Sequence, residues 1–379
     1  MYGIKKITLA VSLIMMTAIA SAKTKYLVVG EKIISNNPWR NELIKGQYRF
    51  AVSEAMQAHK KKYPKSSLQL LESFDDGPNE GFELAEKRDA LGVVGYLYSM
   101  DAFEASQVAL KRKIPYLSPV SPLDSLKNSF AYSMANSHTQ LLQKYKEIAQ
   151  TKEFSNPSIV LLPETFLPNY EYEKLYRKAF KVTDTLKGNS SELWQKLEDQ
   201  LKKSPENQII NVLFAGFAFE QMELAAMLST GSYADRIKII AHSQWYYCHK
   251  ILGENFTKNS KNIYVVTDYF DVPVLPQIKE EPPTFSLAAY DSLNKILTSA
   301  PKIKGNSPEE PIVYVLRDMI AYALEVAENS KDRVEFGYKY GSGQYEGASG
   351  FYEFKDKVST RKVYLGKWDN DRIKPIKKI

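Results

Sequence analysis

Short runs of consecutive apolar residues alternate with stretches of helical period along most of the chain. Residues 26–30 (YLVVG) are too few for a helix and are bounded by polar positions, which predicts a buried strand. Residues 43–59 repeat apolar side chains at helical spacing and predict an amphipathic helix ending near Tyr63 and Pro64. A second strand is predicted at 68–73, followed by the turn Asp75-Asp76-Gly77-Pro78 and a helix through Lys87. A strand at 92–97, a helix at 101–111 and a strand at 114–117 complete a βαβαβαβ series. A second series opens with a helix at 138–150. Its strands are predicted at 159–162, 209–214 and 237–241, and its helices at 170–180, 191–203 and 219–228. Strands alternating with helices imply parallel sheets covered on both faces, so the expected fold class is α/β with two doubly wound lobes. Ligands in such sheets sit beyond the carboxyl ends of the strands. Function is therefore expected in the loops 31–40, 98–101, 118–124, 163–170, 216–220 and 242–247. The proline-rich stretch 272–283 predicts an irregular connection.

The first residues carry a different pattern. Lys5 and Lys6 precede an apolar run at 7–19, and Ala20-Ser21-Ala22 closes it. This predicts a secretory signal peptide over residues 1–22, cut after Ala22. The run is well short of the roughly 20 apolar residues of a spanning helix. No cysteine follows it, so a lipid anchor is not expected, and the mature chain is expected to be soluble in the periplasm. The single cysteine, Cys248, excludes an intrachain disulfide and leaves two readings, a small buried apolar residue or a reactive thiol.

Composition adds bounds. The chain has 379 residues, 44% hydrophobic and 25% charged, which is the balance of a globular protein with two domains. The net charge of +7 falls by two once Lys5 and Lys6 leave. Lys60-Lys61-Lys62 and the tail 374–378 have no interleaved aromatic motif, so they read as a solvated face and a frayed terminus, not as nucleic-acid contacts. The four histidines, His59, His138, His242 and His249, lack metal-ligand spacing and are expected in surface or structural roles. No nucleophile elbow, phosphate loop or dinucleotide fingerprint occurs. Catalysis, a metal and a cofactor are not expected.

Several motifs occur in a fixed order. They are Phe74-Asp75-Asp76-Gly77, Gly92-Val-Val-Gly95 leading into Tyr98-Ser99, Lys113-Ile-Pro-Tyr-Leu-Ser-Pro119, and Phe214-Ala-Gly-Phe-Ala-Phe-Glu220. Ala289-Tyr290-Asp291-Ser292 and Gly347-Ala-Ser-Gly-Phe-Tyr-Glu-Phe354 follow. In these and in the order of elements, the chain resembles the type I periplasmic binding proteins, in particular the branched-chain amino acid (Leu/Ile/Val) receptors of ABC transporters. The resemblance implies two Rossmann-like lobes joined by three crossing strands, near 133–137, 266–269 and 359–363. Lobe 1 would comprise 23–135 with 268–359, and lobe 2 would comprise 136–267 with 360–379. A small ligand would be captured between the lobes by hinge closure and handed to an ABC permease or another inner-membrane partner. The protein is expected to be monomeric.

The resemblance also implies site residues. Tyr98, Ser99, Ser118 and Ser121 would hold a ligand carboxylate through hydroxyls and amides. A second reading stays open, in which Ser99 caps the helix that follows and Ser121 with Asp124 caps the next turn. Two positions depart from the family. Pro122 stands where many relatives have a threonine, and Gln244 stands nearest the acidic residue that pairs with a ligand ammonium. A buried ammonium without a carboxylate is costly, so an α-amino acid is only one option. The loops instead carry Trp39, Phe166, Tyr170, Phe214, Phe217, Phe219, Trp245, Tyr246 and Tyr247. Of these, Trp39, Tyr170, Phe214, Phe217 and Trp245 are the expected ligand contacts, which points to a flat aromatic or heterocyclic group. Core packing is the competing account, above all for Phe214. A sensor or envelope regulator contacting a membrane or cell-wall protein is the alternative function.

Overall fold

The structure is a computed structural model. It describes residues 24–32, 38–74, 77–97, 99–119, 124, 128–163, 167–216, 224, 228, 232–242, 262–267, 311–347, 350–355, 357–369 and 372–378. The expected signal peptide, the stretch 272–283 and residues 289–292 lie outside the described residues.

The first half runs β1 (Tyr26–Glu31), α1 (Pro38–Lys62), β2 (Gln69–Phe74), α2 (Pro78–Lys87), β3 (Val93–Gly95), α3 (Ser99–Arg112), β4 (Tyr116–Ser118) and β5 (Ala131–Ser133). The second runs α4 (His138–Ala149), β6 (Ser158–Leu162), α5 (Leu167–Ala179), β7 (Val182–Lys187), α6 (Ser190–Lys203), β8 (Ile210–Phe214), β9 (Ile237–His242) and β10 (Ile263–Thr267). After these come α7 (Pro311–Glu328), α8 (Arg333–Ser342), β11 (Gln344–Gly347), β12 (Gly350–Lys355), β13 (Val358–Thr360), β14 (Tyr364–Asp369) and β15 (Arg372–Lys378).

The strands form two sheets, ordered β11-β12-β13-β5-β4-β3-β1-β2 and β15-β14-β10-β9-β8-β6-β7. Each contains five parallel strands in one winding, β2-β1-β3-β4-β5 in the first and β7-β6-β8-β9-β10 in the second. That is the 2-1-3-4-5 order of a doubly wound sheet, given twice. Strands covered on both faces read as unbroken apolar runs, and β6, β8 and β10 are buried at every position. The edge strand β7, VTDTLK, has no such run because most of it is only partly buried. Each sheet has a core on both faces. In the first, Leu27, Val29 and Leu117 pack under α1 and α7, while Val28, Val93 and Tyr116 pack under α2 and α3.

Two passages between the sheets are described, and they run side by side. Residues 134–137 connect β5 to α4, and 361–363 connect β13 to β14. The Arg361 amide donates to Asn136 Oδ1 at 2.9 Å, and Ser359 Oγ donates to the Met134 carbonyl. Ser137 then starts α4 with a reciprocal cap: its hydroxyl accepts from the Gln140 amide and its own amide donates to Gln140 Oε1.

The tail departs from expectation. Residues 374–378 belong to β15, which pairs antiparallel with β14 from Tyr364↔Lys378 to Asp369↔Arg372, so the lysines sit on a sheet edge and not on a frayed end. Helix starts also shift. The helix expected from 43 begins at Pro38, a residue that suits a first turn because its missing N–H would go unused there.

Candidate functional site

In each lobe the winding reverses beside the first strand of the half, and the connections diverge there to leave a crevice at the carboxyl ends. In the first sheet the crevice lies between the ends of β1 and β3. The two backbones approach so closely that a side chain on Gly95 (φ +136°) would collide with the Gly30 carbonyl. The following residue, Tyr96, is left-handed at φ +57°, and its ring passes across Gly30 and Gly81. Glycine is needed at these positions because the phenol occupies the space of their side chains.

Glu31 ends β1 and is fully buried at this point. Its Oε2 accepts from the Leu97 amide at 2.8 Å and from the Tyr48 hydroxyl. Its Oε1 has no hydrogen-bond partner among the described residues. Burial pushes the carboxyl up from 4.5 to about 8; the hydrogen bonds from Tyr48 and Leu97 offset part of that, and Asp101 adds to it. Glu31 is therefore largely protonated at neutral pH. Lys32 lies 3.5 Å from Asp101 and 3.9 Å from Glu104. Tyr116 donates to the Gly95 carbonyl at 3.0 Å, on the other face of the sheet.

The corresponding end of the second sheet is built from His242, Tyr172 and His138. His242 ends β9, is buried, and has its Nε2 3.1 Å from the Gly216 carbonyl. Burial holds its pKa down at about 3, so the ring is neutral and Nε2–H donates. Its imidazole stacks on Tyr172, which also meets His138 with ring centres 4.7 Å apart. His138 Nδ1 is 3.6 Å from Glu171 Oε2. Asp124, from the loop after β4, accepts from Thr139 N at 3.0 Å and from Thr139 Oγ1 at 2.7 Å at the start of α4.

Of the residues expected to touch a ligand, Tyr98, Ser121, Phe217, Gln244 and Trp245 lie outside the described residues, as do Pro122, Phe166, Phe219, Tyr246, Tyr247, Cys248 and His249. Trp39 belongs to the first turn of α1 and Ser99 to that of α3; their side chains are not described. Ser118 ends β4 at the crevice side and is buried. Tyr170 is exposed on α5, with Lys187 Nζ 5.8 Å from its ring centre. Phe214 ends β8 and is fully buried, in the second-lobe cluster that holds Leu161, Val212 and Leu224, as the core-packing account expects. His59 ties α1 to α7, with Nε2 3.3 Å from Glu328 Oε2. Glu31 and Tyr172 were not expected. An acid directly after YLVVG reads as the first residue of a polar loop, and Tyr172 reads as one more apolar position of a helix. Among the described residues no helix is long and apolar enough to cross a membrane, and no group of three or more metal-ligating side chains occurs.

No family model and no curated protein matches the chain. Solved structures do. The branched-chain amino acid transporter substrate binding protein LivJ from Streptococcus pneumoniae, in complex with isoleucine, is 14% identical over 94% of this chain and 99% of that one, with a TM-score of 0.67. The leucine binding protein LivK from Thermotoga maritima is 13% identical over 94% and 98%, with a TM-score of 0.65. An ABC transporter solute binding protein from R. palustris, in complex with 4-hydroxybenzoate, is 12% identical over 94% and 97%, with a TM-score of 0.65. The chain thus has the two-lobed α/β fold of the type I periplasmic binding proteins that serve ABC transporters.

Proposed function

We propose that the chain is an exported solute-binding protein that captures a small molecule between its two lobes and delivers it to an ABC importer, without catalysing a reaction on it. The observation that carries this reading is the doubled 2-1-3-4-5 winding, matched over almost the whole length of chains whose bound solutes are isoleucine and 4-hydroxybenzoate. The apolar run behind Lys5 and Lys6 supports export to the periplasm. Ser118 and the loops carrying Tyr98, Ser99, Ser121, Gln244 and Trp245 follow carboxyl ends of strands, where a solute in such a fold is held. The ligand class is an amino acid or a small aromatic acid.

Native mass spectrometry of the chain purified from the periplasm, with thermal-shift titration of leucine, isoleucine and 4-hydroxybenzoate, tests this. A co-purified small molecule or a saturable rise in Tm is expected. A chain that carries and binds no solute in a broad metabolite screen refutes it. A sensor that docks on an envelope protein is the second reading. Its supporting feature is the pair Val334 and Tyr338, one turn apart on α8 and 80% and 75% exposed.

A further inference from the structure

Among the buried polar atoms at the carboxyl ends of the two sheets, Glu31 Oε1 stands out for its position. It ends the strand beside which the winding of the first sheet reverses, where a doubly wound sheet takes its ligand. The residue is fully buried, and the Leu97 amide and the Tyr48 hydroxyl both go to Oε2, while the Lys32 amide adds a weaker pull on the carboxyl. Oε1 has no hydrogen-bond partner among the described residues. A buried oxygen left without a partner is costly, and native chains keep very few. Beside it, among the described residues, two acids, Asp101 and Glu104, share the cation Lys32.

We propose that Glu31 is a specificity-determining residue of the solute site, and that its Oε1 accepts a hydrogen bond from a protonated amine of the captured molecule. This rests on the solute-binding reading and narrows its ligand to the class bearing a cationic nitrogen. In the free protein the Leu97 and Tyr48 donors point at Oε2, which leaves Oε1 as the oxygen to carry the carboxyl proton. When the ammonium arrives, that proton leaves to solvent, the carboxylate ionises, and an ammonium N–H takes its place. The contact forms only as the solute displaces what covers the carboxyl, so it belongs to the bound state. The raised carboxyl pKa of the free form supports the exchange, because it supplies a proton to release at neutral pH.

Isothermal titration of the full purified chain at pH 7, with L-isoleucine as the amine probe and 4-hydroxybenzoate as the amine-free probe, tests this. Repeating it in buffers of different ionisation enthalpy counts the protons exchanged. The wild type is expected to bind the amine with release of close to one proton. Glu31→Gln is expected to weaken the amine at least tenfold and abolish the release, and to leave any binding of 4-hydroxybenzoate within twofold. Equal amine affinity and equal proton release in the variant overturn the proposal, as does a wild type that binds only the amine-free probe; the solute-binding reading survives both. A wild type that binds neither probe nor any metabolite sinks that reading and this inference together. Should Glu31→Gln fail to fold, Tyr48→Phe serves instead. Loss of its hydrogen bond is expected to move the pH midpoint of proton release upward, and an unmoved midpoint overturns the proposal.

Discussion

The imidazole of His242 lies flat on the phenol ring of Tyr172, with ring centres 3.8 Å apart and planes 11° apart. The stack joins the end of β9 to α5, and the Gly216 carbonyl fixes which ring nitrogen of His242 carries the proton. Because burial holds the folded pKa at about 3 against an ordinary 6.5, the unfolded state binds more protons between those values. His242 therefore takes stability away as pH falls through that window. Thermal unfolding of His242→Gln should start below the wild type at pH 7, from loss of the stack, and the gap should narrow toward pH 4. A gap that stays constant with pH would show that His242 is not buried neutral.

Glu31 has the opposite sign. Its folded pKa of about 8 exceeds the ordinary 4.5, so the folded state holds a proton that the unfolded state gives up. Its contribution is fully present below pH 4.5 and is lost as pH rises to about 8. Between pH 4.5 and 6.5 the His242 effect opposes this one, so Tm of the wild type should decline as pH rises from 6.5 to about 8, and Glu31→Gln should flatten that decline. Parallel pH profiles of the two proteins would contradict the assignment.

Phe214 and Tyr170 separate core from surface. Phe214 is wholly enclosed, so Phe214→Ala should lower the unfolding free energy by about 3–5 kcal/mol in urea titration. Tyr170→Ala, on an exposed helix face, should change it by less than about 0.5 kcal/mol. Comparable losses for the two would restore Phe214 to a partly open position.

Gly95 is held by geometry. Its φ of +136° and the Gly30 carbonyl against it leave no room for a methyl group, so Gly95→Ala should destabilise by about 2 kcal/mol or more. Circular dichroism melts would check this, with Gly46→Ala as a control in open space inside α1, expected to be neutral or mildly stabilising.

The alternation of apolar runs and helical periods disclosed most of the first ten strands because buried parallel strands such as β6 and β8 carry an unbroken signature. β7 was hidden because a half-covered edge strand needs no apolar run. α7, whose apolar side chains pack against α1, was not read from the sequence. The loops that end the strands were readable, since the winding rule fixes where they fall. Which residues matter within them was not. Phe214 and Trp39 look alike in sequence, and only the parity of a strand turns the first inward; Glu31 gains its character from Tyr48 and Leu97, which lie 17 and 66 residues away.

β15 has a consequence for the molecule among its neighbours. An outermost strand offers unpaired amides and carbonyls to any passing chain, which is how sheets polymerise. Among the described residues the last strand of the second sheet is RIKPIKK, which is rich in basic residues and in which Pro375 has no amide to offer. A charged, proline-bearing strand at a sheet edge is a composition that works against further strand pairing.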